Sequence, residues 1–245
     1  MRILIFPGVL LGAVFLSAFF GCRKNTDTII EDYSVVASDE VQLDIATASG
    51  AIIPARIEKP EGRQMDVVLL LPDSENEQLE DQMAARYFER GFMVLRLDHN
   101  AFFGAGNGAV ATQAAIDFLK RDLSQYNIEL GKLVVQGSFK SACHAFATAL
   151  QTKVDAVILN EPTADADIWR QAKAKSKLAG LKAPFLLIAA EEQTDRVRDN
   201  LLDLEASYHS CTRCKEGSQF VYHPGTPEDW NQDEIWELIF EFVEG

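Results

Sequence analysis

Two hydrophobic periodicities divide the chain. From residue 41, VQLDIAT and AIIPARI are separated by a Ser-Gly turn and read as a β-hairpin of high strand propensity. Beyond it the alternation gives way to short, continuous apolar runs: 66–72, 92–98, 132–137, 155–160, 184–190 and 219–223. Runs of this length without polar alternation suit strands buried on both faces. Helical periodicity fills the gaps. Leu79, Met83 and Tyr87 share one face of 78–90, and Ile116, Leu119 and Leu123 one face of 110–123. At the C-terminus Ile235, Leu238, Ile239 and Phe242 form an apolar stripe. A hairpin followed by alternating strands and helices predicts an α/β fold with right-handed crossovers and a mainly parallel sheet of eight strands.

The N-terminus follows a different logic. Residues 3–20 are uncharged and mostly apolar, preceded by Arg2 and ended by Gly21, Cys22, Arg23 and Lys24. A basic start, an apolar run and a small residue at the junction describe an export signal. Cys22 directly after Gly21 resembles the lipobox of bacterial lipoproteins, with Phe19 standing where that motif usually has Leu. The division expected is a signal peptide over 1–21, a lipid-anchored polar tether over 22–34 and a globular domain over 35–245. The resemblance implies acylation of Cys22 and an extracytoplasmic location, in the periplasm or at the cell surface. The alternative is an uncleaved membrane helix, for which Arg23 and Lys24 would favour a cytoplasmic body.

Composition sets limits on function. Of 245 residues, 47% are hydrophobic and 24% charged, which supports a packed core. The formal charge of −14 opposes nucleic-acid binding. Partners expected are therefore an unknown small ligand or an envelope protein, and the membrane through the anchor. No cofactor is expected: Gly104-x-Gly106-x-x-Ala109 does not follow the first strand, so it reads as a loop over a crevice rather than a dinucleotide fingerprint. His209, Cys211 and Cys214 offer three metal ligands without an evident fourth, so no metal is expected and Cys211 and Cys214 read as a small loop disulfide or exposed thiols. Cys143 and His144 read as core filler and a satisfied or solvent-facing imidazole.

The segment VVQGSFKSACHAFATAL (134–150) runs from a strand through a sharp Gly-bearing turn into a small-residue helix. This resembles the nucleophile elbow of the α/β-hydrolase superfamily, in particular its capless, dienelactone-hydrolase-like members. The hairpin, the strand order, RGFMVLRLD and the terminal helix extend the likeness over 41–244. The resemblance implies a three-layer sandwich and a Ser-Asp-His triad on the Gly-x-Ser-x-Gly pattern. The matching positions carry other chemistry. With Gly137 as the first glycine, the nucleophile slot is Phe139; the acid slot in AAEEQTD is Gln193; the base slot after Pro224-Gly225 is Glu228. None of these residue types performs the implied role, so no catalytic residue is expected and the reading is a pseudoenzyme.

Displaced residues form the alternative: an esterase or acyl hydrolase using Ser138, His223 and Asp195. A one-residue shift along a strand turns a side chain to the opposite face, which would bury Ser138 as a turn hydroxyl. Lys140 and Ser141, opening the helix after the elbow, are candidates for holding an anionic ligand. A third possibility is a thiol or metal protein working through Cys211 and Cys214.

Overall fold

The computed structural model describes residues 39–72, 77–104, 108–163, 178–212, 214 and 216–245. The export segment, Cys22 and the tether lie outside them. Among the described residues no helix is long and apolar enough to cross a membrane.

Eight strands form one sheet: β1 (Asp39–Ala46), β2 (Ile52–Lys59), β3 (Gln64–Leu70), β4 (Met93–Leu97), β5 (Glu129–Ser138), β6 (Ala156–Asn160), β7 (Phe185–Ala190) and β8 (Gln219–His223), in the order β1-β2-β4-β3-β5-β6-β7-β8. The hairpin β1–β2 is antiparallel, and β2 also pairs antiparallel with β4. From β4 to β8 every pairing is parallel. The described helices are α1 (Glu77–Glu89), α2 (His99–Gly104), α3 (Gly108–Arg121), α4 (Lys140–Gln151), α5 (Asp195–His209) and α6 (Asp233–Glu244).

The continuous apolar runs have a direct cause: successive strand residues feed two different cores. Val67, Leu69, Leu133, Val135, Val157, Leu159, Phe185 and Leu187 face α3, α4 and α5. The residues between them, Val68, Leu70, Val134, Ile158, Leu186 and Ile188, face α1 and α6. Both faces are covered, so alternation disappears from the sequence while it persists in space. On the second face Tyr87 stands edge-on to Phe92, Trp236 and Phe240, with ring centroids 5.6, 5.3 and 5.7 Å away. Its hydroxyl donates to Gln136 Oε1, so the polar end of a fully buried phenol is satisfied.

Two local expectations are corrected. The stripe of α6 is rotated: Ile235, Trp236, Ile239, Phe240 and Val243 are buried, whereas Leu238 is exposed. Trp236 and Phe240 present more area to Tyr87 than the aliphatic set could, and they fix the helix's roll. The expected loop over 102–109 is largely helical, because α2 takes in Phe102 to Gly104 and α3 starts at Gly108. Phe102 is fully buried against Phe103 and the His144 ring, so it is core and not lid.

The chain lays down β3, moves outward to β4, then crosses back to β5 on the other side of β3. In open α/β sheets such a reversal marks the place for a ligand crevice, outside the C-terminal ends of the strands, where β5 here turns into α4.

Candidate functional site

At the end of β5 the backbone makes the sharp turn expected of an elbow. Phe139, between β5 and α4, has φ 49° and ψ −114°, a region L-residues rarely occupy. Gly137 is required two residues earlier, since a Cβ there would lie 2.5 Å from the Ser141 carbonyl oxygen. Ser141 secures the inside of the turn. Its Oγ accepts from the Ser138 N–H at 3.0 Å and donates to the Ser138 carbonyl at 2.9 Å. The Phe139 N–H is committed to the Asn160 carbonyl at 2.9 Å. The half-buried phenyl ring packs against the apolar core on the α1 and α6 side. An aromatic side chain thus occupies the apex of the turn, held in a strained conformation by bonds on both sides.

Ser138 points elsewhere. It is fully buried, on the same strand face as Val134 and Gln136, and its Oγ lies 3.7 Å from the Met83 thioether of α1. Ser141, of the candidate pair Lys140 and Ser141, is also fully buried with its hydroxyl bonded within the turn, while Lys140 beside it is exposed.

The ionisable centre of the crevice end is a residue that sequence reasoning did not select. Glu161 follows β6 directly, with φ 45° and a wholly buried side chain. One carboxylate oxygen, Oε2, accepts from the Ala190 N–H at 3.1 Å and from Gln193 Nε2 at 2.6 Å. The other, Oε1, lies 2.5 Å from His223 Nε2. His223 ends β8 and is 5% exposed. Its second ring nitrogen, Nδ1, is 3.1 Å from the Pro224 carbonyl. A carbonyl only accepts, so Nδ1 carries a proton and donates it. Oε2 already takes two donors, which leaves one further proton, held between Oε1 and Nε2. The pair is either carboxylate with imidazolium or carboxylic acid with neutral imidazole. Burial raises the Glu161 carboxyl above its ordinary 4.5, opposed by the hydrogen bonds from His223, Ala190 and Gln193.

Glu161 therefore joins the ends of β6, β7 and β8 through one carboxyl group. Gln193, the expected acid slot, serves as a neutral donor to it. Asp195 lies at the exposed start of α5 and pairs with Arg198 at 2.7 Å. Glu228 is exposed on the one-turn 3-10 helix Pro227–Trp230. Ser138, His223 and Asp195 are thus not brought together: a hydroxyl under the sheet, an imidazole engaged at both nitrogens and a surface carboxylate. The signal for Glu161 was present in VILNEP, where a charged residue directly follows a fully buried strand.

Elsewhere, Cys143 donates its thiol to the Lys140 carbonyl, and burial pushes it up to about 11. Burial lowers His144 from its ordinary value. Cys211 and Cys214 are joined by a disulfide. No group of three metal-ligating side chains occurs among the described residues.

Against solved structures, the chain resembles a dienelactone hydrolase from Anabaena variabilis at TM-score 0.64 and 17% identity, covering 84% of this chain and 97% of that one. An esterase from Pyrococcus furiosus matches at TM-score 0.67 and 12% identity, covering 85% and 91%. Brefeldin A esterase, a bacterial homologue of human hormone-sensitive lipase, matches at 0.62 and 15%, covering 89% and 79%. No protein-family model and no curated protein matches the sequence. The chain has the α/β-hydrolase fold.

If Glu161 holds the strand ends, Glu161→Gln should keep the fold, because an amide can accept from Ala190 and Gln193 while donating to neutral His223. Glu161→Ala leaves those groups unpaired and should cost about 3 kcal/mol or more in urea unfolding. The sign with pH follows from the raised carboxyl. The folded state binds this proton more tightly than the unfolded state, so its contribution is full below 4.5 and is lost as pH rises through the higher folded value. Comparing the pH dependence of unfolding for both chains should show that slope in the wild type and its loss in Glu161→Gln.

Proposed function

We propose that this chain is an exported, lipid-anchored protein that uses the α/β-hydrolase crevice for binding and does not run the serine-hydrolase reaction. The observation that carries the reading is Phe139 at the apex of the elbow. Acyl transfer needs a hydroxyl or thiolate there, lifted toward the substrate, and an imidazole nitrogen turned to receive its proton. A phenyl ring supplies no nucleophile. The arrangement of His223 supports the same reading, since its Nε2 is turned to Glu161 and its Nδ1 to Pro224.

Three costly features adjoin at the ends of β5 and β6, and they support binding over a derelict site. Phe139 and Glu161 both have positive φ. Between them the fully buried Asn160 amide has no hydrogen-bond partner among the described residues. Strained backbone costs roughly 1–3 kcal/mol per residue and clusters where a protein contacts ligands. Retention of all three at one crevice edge favours a surface in use. The anchor rests on the sequence alone: an apolar export segment ending in Gly21-Cys22.

The similar solved structures include proteins described as esterases, which makes acyl hydrolysis the competing reading. A fluorophosphonate probe separates the two. The proposal expects labelling of the folded protein no greater than that of a heat-denatured control. Labelling that disappears in Ser138→Ala would establish the hydrolase reading instead. For the anchor, mass spectrometry of the mature N-terminus should find a diacylglyceryl adduct on Cys22; an intact Met1 would reject it.

A further inference from the structure

The Cys211–Cys214 disulfide closes a ring between residues three apart, just after the C-terminus of α5. A ring this short removes little chain entropy from the unfolded state, so its contribution as a staple is small. The segment it spans is held by other means. The Cys211 N–H donates to the Tyr208 carbonyl at 2.9 Å, and the Cys214 N–H to the Cys211 carbonyl at 3.2 Å. Beyond the ring, the Ser218 N–H donates to the Tyr208 hydroxyl at 3.2 Å, and the Phe185 N–H to Ser218 Oγ at 3.1 Å. Phe220 at the start of β8 packs against Phe185, Tyr208 and His209, with ring centroids 5.4 to 5.9 Å apart. Tyr222 donates to Glu205 of α5 at 2.9 Å. The described residues on either side of the ring are therefore tied to α5 and β7 by bonds other than the disulfide. Both cysteines are half-buried, with the exposed Thr212 between them.

We propose that Cys211–Cys214 is a thiol-exchange site, reversibly reduced by a dithiol partner while the fold stays intact. A thiolate of the partner attacks one sulfur of the Cys211–Cys214 bond, forming a mixed disulfide and releasing the other sulfur, which takes up a proton. The partner's second thiolate then attacks the mixed disulfide and releases the remaining cysteine, which is protonated in turn. Two electrons pass from the partner, which becomes a disulfide, to Cys211 and Cys214, which become thiols. With Cα atoms 5.4 Å apart, the dithiol remains in place to close again on oxidation.

The test uses the full folded chain. Dithiothreitol, and separately a thioredoxin-type protein dithiol, are added without denaturant, free thiols are alkylated, and peptides carrying Cys211 and Cys214 are mapped. The proposal expects both cysteines to gain the label without denaturant. Near-UV circular dichroism should be retained, and oxidised glutathione should restore the bond. The double variant Cys211→Ser with Cys214→Ser should keep the same near-UV spectrum. Reduction that occurs only in urea would overturn the proposal. Loss of the near-UV signal on reduction or in the double variant would equally overturn it, marking the bond as a structural staple.

Discussion

A single buried carboxyl group governs the crevice edge of this protein. Parallel strands end with their carbonyl groups and following loops splayed toward solvent, and something must hold the last three ends in register. Glu161 does so by accepting from the Ala190 backbone on β7 and the Gln193 amide beyond it, while sharing a proton with His223 on β8. A buried carboxyl group of this kind is tolerable only when both of its oxygens are hydrogen-bonded, and here both are. The same bonds engage the imidazole at both ring nitrogens, Nε2 on Glu161 and Nδ1 on Pro224.

The geometry of the elbow is imposed from below. Close approach of β5 to α4 at Gly137, and the reciprocal bonds of Ser141 to Ser138, bend the chain whatever stands at position 139. Phe139 accepts an unfavourable φ of 49° because its N–H is bonded to Asn160 and its ring has apolar surface to cover. The hydroxyl one residue earlier lies elsewhere: the strand's twofold alternation sends Ser138 beneath the sheet toward Met83.

The fold was legible because burial on both faces writes itself as runs such as VVLLL and AVILN, and the turn of 137–141 carries its own glycine. The roll of α6 was less so: Leu238 and Trp236 are equally good apolar candidates by spacing, and only the ring cluster with Tyr87 decides between them. At the site, the elbow and the placement of Phe139 could be read from local sequence. The pairing of Glu161 with His223 could not, because the two are 62 positions apart and meet only through the order of β6, β7 and β8. Gln193 illustrates the same limit. Its slot was identified by motif, but its task as a donor to Glu161 depends on a neighbour the motif does not mention.

The state of the His223 ring is the most direct measure of this account. A long-range proton–nitrogen correlation spectrum, followed across pH on the folded chain, reports which ring nitrogens are protonated and whether their protons exchange. The account predicts a protonated Nδ1, a slowly exchanging and strongly downfield proton between Nε2 and Glu161, and loss of that proton signal in Glu161→Gln. A proton at Nε2 that exchanges fast, or a signal unchanged in Glu161→Gln, would contradict it.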